Sequence, residues 1–205
     1  PIEEFKCLGR SITHQAWKLL LQDGRCLFAK TVKPKEFPRL MFEVEGLKAL
    51  KSFSKKNLIE VPSPILLRKY HSNCLLILPW IDLKSGNQKS LGEGLALIHK
   101  LSAEKHSGKF GWNTPGFIGQ GVQPKGWRKN WVDCFIELRL IPQIELAGKW
   151  GLNLEKLDKF INGIHSILKD HKPVPSLVHG DLWSGNVGII SDDIGAIFDP
   201  ATWWA

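Results

Sequence analysis

With 205 residues, 43% of them hydrophobic, the chain is long enough for one large domain or two small lobes with their own cores. It contains no run of about 20 apolar residues, so no membrane-spanning helix and no membrane partner are expected, and with no charged-then-apolar leader a cytoplasmic location is expected. The formal charge of +8 comes from dispersed lysines and arginines, which reads as a solvated basic surface with no nucleic-acid partner.

In chain order, the first signal is a hairpin. Ala16 to Leu21 and Cys26 to Val32 are apolar runs around Gln22-Asp23-Gly24-Arg25, and Asp-Gly between such runs is a strong turn signal. From Glu36 to Lys55 the residues Leu40, Val44, Leu47, Leu50 and Phe53 recur at helical spacing, until Pro62 and Pro64 stop the pattern. Ile65-Leu66-Leu67 and Leu75-Leu76-Ile77-Leu78 read as two more strands. Residues 1–81 therefore read as a small, mostly antiparallel lobe of strand, strand, helix, strand, strand. Asp82 to Ser90 is polar and reads as a linker.

Residues 82–205 read as mainly helical. Leu91 to Leu101 is a short amphipathic helix. Lys105 to Lys125, rich in Gly, Pro and aromatics, is an ordered loop of a length that is more often functional than idle. Trp127 to Trp150 has helical spacing, with Pro142 either kinking it or sitting in a first turn. Leu154, Leu157, Ile161, Ile164 and Leu168 mark a last helix, ended by Pro173. Two short strands, Val187 to Ile190 and Ala196 to Phe198, close the pattern. Cys7, Cys26, Cys74 and Cys134 are scattered without a Cys-x-x-Cys pair, which points to reduced thiols and away from a disulfide scaffold or zinc ribbon. The chain opens on Pro1 and closes on Trp203-Trp204-Ala205, so both ends are expected to be cut from a longer sequence.

The chemistry concentrates in His179-Gly180-Asp181-Leu182-Trp183-Ser184-Gly185-Asn186, followed by Phe198-Asp199-Pro200. An acid, an amide five positions on and a second acid after the next apolar run are what phosphoryl transfer from ATP requires. One carboxylate takes the proton of an attacking hydroxyl, while an amide oxygen and another carboxylate hold Mg²⁺ against the phosphates. Protein kinases space His-Arg-Asp-x-x-x-x-Asn and Asp-Phe-Gly in the same way. Asp181 is thus the candidate base, with Asn186 and Asp199 as candidate metal ligands; His179 reads as a brace for the loop. A lone Asp in a Gly-flanked loop would be an ordinary turn residue, and it is the spacing to Asn186 and Asp199 that favours chemistry.

Lys30, at the end of the second hairpin strand, is a candidate phosphate ligand if a helix carboxylate steadies it. Glu43 and Glu45 compete for that role, since they stand about 200° apart on a helix and only one can face Lys30. Gly9, in Leu8-Gly9-Arg10-Ser11, sits where a phosphate-covering turn belongs. Pro79, Trp80 and Ile81 close the small lobe as a candidate adenine-reading hinge, in which Pro79 supplies no N–H.

The string Leu-Val-His-Gly-Asp-Leu-Trp-Ser-Gly-Asn-Val with Phe-Asp-Pro-Ala resembles the fructosamine kinase, or ketosamine-3-kinase, family. Phe110-Gly111-Trp112, Phe117-Ile118-Gly119, Gln123-Pro124, Trp127, Trp131, Phe135, Arg139-Leu140, Gln143, Phe42-x-x-Glu45 and Val61-Pro62-x-Pro64 extend the resemblance along the chain. It implies an α+β, two-lobed protein-kinase-like fold with a small antiparallel-sheet lobe and a mainly helical lobe, here truncated, because the family continues beyond Asp-Pro-Ala with further helices. It implies ATP- and Mg²⁺-dependent phosphorylation of a sugar hydroxyl on small-molecule or protein-bound ketosamines, leading to deglycation. By position it makes Asp181 the proton acceptor, Asn186 and Asp199 the metal ligands, Lys30 with Glu45 the phosphate clamp, Gly9 part of the covering turn, Pro79, Trp80 and Ile81 the hinge, and Trp183 a flank for the sugar. The family's turn usually carries Gly-Gly, where Arg10 stands here, and Ser11 replaces a cysteine found in some members. Two other readings share the motif: a small-molecule kinase of the aminoglycoside or choline type, and an inactive nucleotide-binding fragment.

Overall fold

A computed structural model describes all residues except 152, 154 and 192. Among the described residues the chain divides into two compact units. One is formed by Pro1–Ile98 with His179–Thr202, the other by His99–Val178 with Trp203–Ala205. The sequence boundary at 81/82 therefore does not coincide with these units. The motif loop and the hairpin after it pack with the first unit, because β-pairing and the Lys30–Asp199 ion pair join them to the N-terminal residues.

The first unit opens with β1 (Ile2–Arg10), β2 (Gln15–Leu21) and β3 (Cys26–Val32), an antiparallel meander. The Asp23-Gly24 turn lies where expected, with Asp23 accepting from the Arg25 amide. Strand β1 is a strand that sequence reading missed. All nine of its residues are exposed, so it carries no alternating burial to betray it. Helix α1 (Phe37–Phe53) follows, then the short β4 (Ile59–Glu60), β5 (Leu66–Lys69) and β6 (Cys74–Pro79). The main sheet has the order β1-β2-β3-β6-β5. Leu40, Leu47 and Leu50 of α1 are almost wholly buried, as are Leu76 and Cys74 of β6. Burying each such leucine contributes about 1.5–3 kcal/mol.

Helix α2 (Lys89–Ala103) runs on from the linker and carries the chain into the second unit. There the expected loop at 105–125 is organised into two hairpin-like pairs. β7 (Phe110–Trp112), β8 (Gly116–Ile118), β9 (Gly121–Gln123) and β10 (Gly126–Arg128) are three residues each, too short for periodicity to reveal. A helical stretch begins at α3 (Trp131–Phe135), capped by the Asn130 side chain accepting from the Asp133 amide. It passes through a π turn at Ile136–Leu140 into α4 (Ile141–Gly148). Pro142 lacks the N–H that would serve the Leu138 carbonyl in a regular helix. The Arg139 guanidinium serves it instead at 2.7 Å, and lies 3.8 Å from the centroid of the Trp203 ring. Burial lowers the pKa of Arg139 to about 10.

Helix α5 spans Leu157–Leu168, and the start expected at Leu154 lies outside the described residues. β11 (Leu177–Val178) leads to the motif loop, which returns the chain to the first unit. There β12 (Val187–Ser191) and β13 (Ile194–Ile197) form the expected hairpin, and β13 also pairs in parallel with β4. The chain closes on β14 (Trp203–Trp204), which joins the sheet β10-β7-β14-β11 of the second unit. Its core is aromatic: Phe110, Cys134, Leu138 and Trp203, with Trp112 and Trp131 packed against them.

Candidate active site

The site lies within the first unit. A cavity of about 290 Å³ is lined by Leu8, His14, Phe28, Lys30, Glu43, Leu78, Pro79, Trp80, Ile81, Asn186, Phe198 and Asp199, among others. Its walls come from β3, β6, α1 and the segment after β13. One end is apolar and the other bears charge, as a site for a planar base joined to an anionic tail requires.

At the charged end, β3 delivers Lys30 inward, and its side chain is 6% exposed. Its Nζ donates to Glu43 Oε2 at 2.8 Å and to Asp199 Oδ1 at 2.7 Å. The helix partner is therefore Glu43, and the expectation of Glu45 is corrected. The physical reason is helical register. Position 43 lies three residues after Leu40, four before Leu47 and seven before Leu50, on the most deeply buried stripe of α1, whereas Glu45 is half-buried. Burial works against the Lys30 ammonium, but the Glu43 and Asp199 carboxylates outweigh it and raise its pKa. Burial raises the Glu43 carboxyl to about 7; Lys30 opposes the rise and Asp199 adds to it. Asp199 alone balances the Lys30 ammonium, and Glu43 adds negative charge as pH rises through about 7, which makes the centre receptive to a cation. A Glu43→Gln chain is expected to lose about tenfold or more in nucleotide affinity, one charge-assisted hydrogen bond. Glu45→Gln should bind within about twofold of the parent, and calorimetric titration of both checks the assignment.

Asp199 holds a left-handed backbone, φ 52°, which costs a non-glycine residue about 1–2 kcal/mol. The surrounding bonds fix it: the Lys30 ion pair, the Phe198 amide donating to the Asn186 carbonyl at 3.1 Å, and the Ala201 amide donating to the His179 carbonyl at 2.8 Å. Burial pushes the Asp199 carboxyl up, but the Lys30 ammonium prevails and holds it below the usual range, so it is ionised at neutral pH. Asn186 ties the loop together. Its Nδ2 donates to the Asp181 carbonyl at 2.9 Å, Asp181 Oδ2 at 3.3 Å and the Asp199 carbonyl at 3.4 Å. With Nδ2 so engaged, Asn186 Oδ1 is left as a donor atom, as is Asp199 Oδ2 once Lys30 has taken Oδ1. One amide oxygen and one carboxylate oxygen fit a hard ion that keeps several waters and takes its other ligands from phosphate. His179 is buried, donates from Nε2 to the Phe198 carbonyl at 3.0 Å and accepts the Asp181 amide at Nδ1 at 3.4 Å. Burial lowers its pKa, against the pull of the Phe198 carbonyl and the Asp181 and Asp199 carboxylates. A neutral histidine with both nitrogens engaged holds the loop in place.

Of the residues singled out from sequence, the structure brings Lys30, Asn186, Asp199, Pro79, Trp80 and Ile81 to one cavity, and joins Asp181 to them through Asn186. The Trp80 ring is fixed by its Nε1 donating to Asp82 at 2.7 Å and by Lys18, whose Nζ is 4.3 Å from the ring centroid. Gly9 is in β1, paired with Ala16, and does not line the cavity. Leu8 and His14 do, and sequence reading missed His14 because a single histidine in a polar turn carries no pattern. Trp183 is 60% exposed and also outside the cavity lining. Its ring lies over Gly185, where any Cβ would collide with it.

A family model described as fructosamine kinase matches residues 1–205. A probable ketoamine kinase of Vibrio parahaemolyticus is 34% identical over 190 residues, covering 90% of this chain and 64% of the relative. One from Synechocystis is 36% identical over 167 residues, covering 80% and 55%. The chain thus spans about 64% and 55% of the lengths of these two curated relatives. A solved structure from Haemophilus somnus, assigned by name as a fructosamine-3-kinase, superposes with a TM-score of 0.87 at 22% identity, covering 100% of this chain and 68% of that one. The fold is α+β and protein-kinase-like, as expected. Matched along its whole length, and with the motif residues Asn186 and Asp199 meeting Lys30 at one cavity, the chain belongs to the fructosamine kinase family.

Proposed function

We propose that this chain carries the ATP-binding and phosphoryl-transfer machinery of a ketosamine kinase. The observation that supports this best is the junction of Lys30, Glu43 and Asp199 at the charged end of the cavity, with Asn186 linking Asp199 to Asp181. In this reading Pro79–Ile81 receive the adenine and Lys30 faces the phosphates, while Asn186 and Asp199 would hold Mg²⁺. The bound metal nucleotide supplies a polarised γ-phosphoryl group. Asp181 accepts a hydrogen bond from the sugar hydroxyl and takes its proton late, as the sugar oxygen bonds to the γ-phosphorus and the bond from that phosphorus to the β–γ bridging oxygen breaks, with ADP as the leaving group. His179 and Asn186 keep Asp181 in position. The membership of the family and the names of the relatives support a ketosamine as acceptor, with phosphorylation of its sugar preparing the adduct for deglycation. The test is phosphate transfer from ATP to a fructosyl- or ribulosyl-lysine. Hydrolysis or transfer only to another alcohol would overturn the acceptor, and no nucleotide binding would overturn the site.

The exposed Trp183 ring, two residues from Asp181, is a platform on which a sugar ring can stack. Trp183→Ala is expected to raise KM for a ketosamine by about fivefold, a stacking contribution of roughly 1 kcal/mol, with KM for ATP unchanged. An unaltered ketosamine KM would remove Trp183 from the acceptor site.

A further inference from the structure

The roof of the cavity departs from the sequence expectation, because a side chain stands where glycine backbone was foreseen. Gly9 lies outside the lining and His14 lies in it, with Lys30 and Asp199. His14 is half-buried at the end of the turn between β1 and β2. That turn is organised by one hydroxyl. Ser11 Oγ accepts from the Thr13 amide at 3.3 Å and from the His14 amide at 3.1 Å, and it lies 2.9 Å from His14 Nδ1.

A serine hydroxyl has two lone pairs and one proton. With two backbone amides directed at its lone pairs, the proton goes to the nearest acceptor, His14 Nδ1, whose 2.9 Å is shorter than the 3.3 Å to the His14 carbonyl. Nδ1 is then an acceptor, so the neutral ring carries its proton on Nε2. Burial, and the Lys30 charge after it, lower the pKa of His14, while Asp199 opposes them, which favours that neutral form. Nε2–H makes no hydrogen bond among the described residues. A preset donor on the wall of a cavity, beside a lysine whose charge is already shared between two carboxylates, calls for an anionic acceptor.

We propose that His14 is a nucleotide-phosphate ligand, its Nε2–H donating to a phosphate oxygen while Ser11 fixes the tautomer. The roof of this cavity then uses an imidazole where a glycine-rich turn would use backbone amides. The inference rests on the nucleotide reading of the site and deepens it by naming which part of the nucleotide the roof recognises.

The experiment is calorimetric titration of the full chain with ATP, ADP, AMP and adenosine, for the parent, His14→Ala, His14→Gln and Ser11→Ala, with thermal melts to establish that each is folded. Glutamine places an N–H donor near the position of Nε2. Loss of one hydrogen bond to a charged group predicts ATP and ADP affinities about tenfold or more weaker in His14→Ala. Adenosine affinity should stay within about twofold of the parent, and His14→Gln should regain most of the loss. Ser11→Ala should show the same selectivity for phosphate in smaller measure. Equal ATP affinity in His14→Ala and the parent overturns the proposal. So does an equal loss for adenosine, which would assign His14 to packing alone. A parent chain that binds none of the four overturns the site reading and this inference with it.

Discussion

An Asp181→Asn chain is expected to lose about 10²–10⁴-fold in turnover, the range of a positioned general base, while its affinity for ATP stays near that of the parent. The two readouts separate because of where Asp181 sits. It is outside the cavity lining, so its loss removes no wall, and its link to the site is the 3.3 Å contact with Asn186 Nδ2. An asparagine oxygen can still accept that contact, so the loop keeps its shape, but an amide cannot take a proton at neutral pH. Single-turnover transfer to a ketosamine, followed beside nucleotide titration, checks both. Retained turnover would dismiss Asp181 as base. Lost nucleotide binding would show that Asp181 serves the loop and not the reaction.

The second large effect belongs to Lys30. Lys30→Met is expected to lower stability by about 3–5 kcal/mol, because it strands an almost fully buried carboxylate without its cation. For a chain of this length the melting temperature should fall by roughly 10 °C at pH 8. The sign of the pH dependence follows from Glu43. Its folded-state pKa is already raised to about 7 with Lys30 present, and removing the ammonium can only raise it further. A group whose folded pKa lies above its unfolded value contributes stability below the unfolded value and loses it as pH rises through the folded one. The deficit of the variant should therefore shrink markedly between pH 8 and pH 5, as Glu43 takes up a proton and becomes a neutral buried acid. A deficit independent of pH would mean that the cost comes from packing. Lys30→Met should also abolish measurable ATP binding, whereas Glu43→Gln, which keeps the cation, should only weaken it.

The parts of this site that could be read in advance are those where spacing along the chain does the work. Asp181, Asn186 and Asp199 lie in one loop and one hairpin, so their separation in sequence nearly determines their separation in space. The Asp-Gly turn and the leucine stripe of α1 were legible for the same local reason. Resemblance to the family puts Glu45 beside Lys30, whereas the register of the Leu40, Leu47 and Leu50 stripe puts Glu43 there, and the molecule follows the register. The three-residue strands β7 to β10 left no periodic trace. The exposed β1 offered no apolar face to find. His14 depends on a cavity assembled from residues far apart in the sequence, and the close joining of residues 179–202 to the N-terminal residues depends on the β13–β4 pairing and the Lys30–Asp199 pair, both of which link distant positions and have no local signature.

Gly46 lies one turn of α1 beyond Glu43, and a Cβ there would stand 2.9 Å from Thr202 Oγ1 and 3.1 Å from Pro200 Cγ. The helix and the segment following Asp199 therefore touch without slack. A bulkier residue at position 46 would therefore wedge α1 away from that segment, moving Glu43 off Asp199 and loosening the grip of both acids on Lys30.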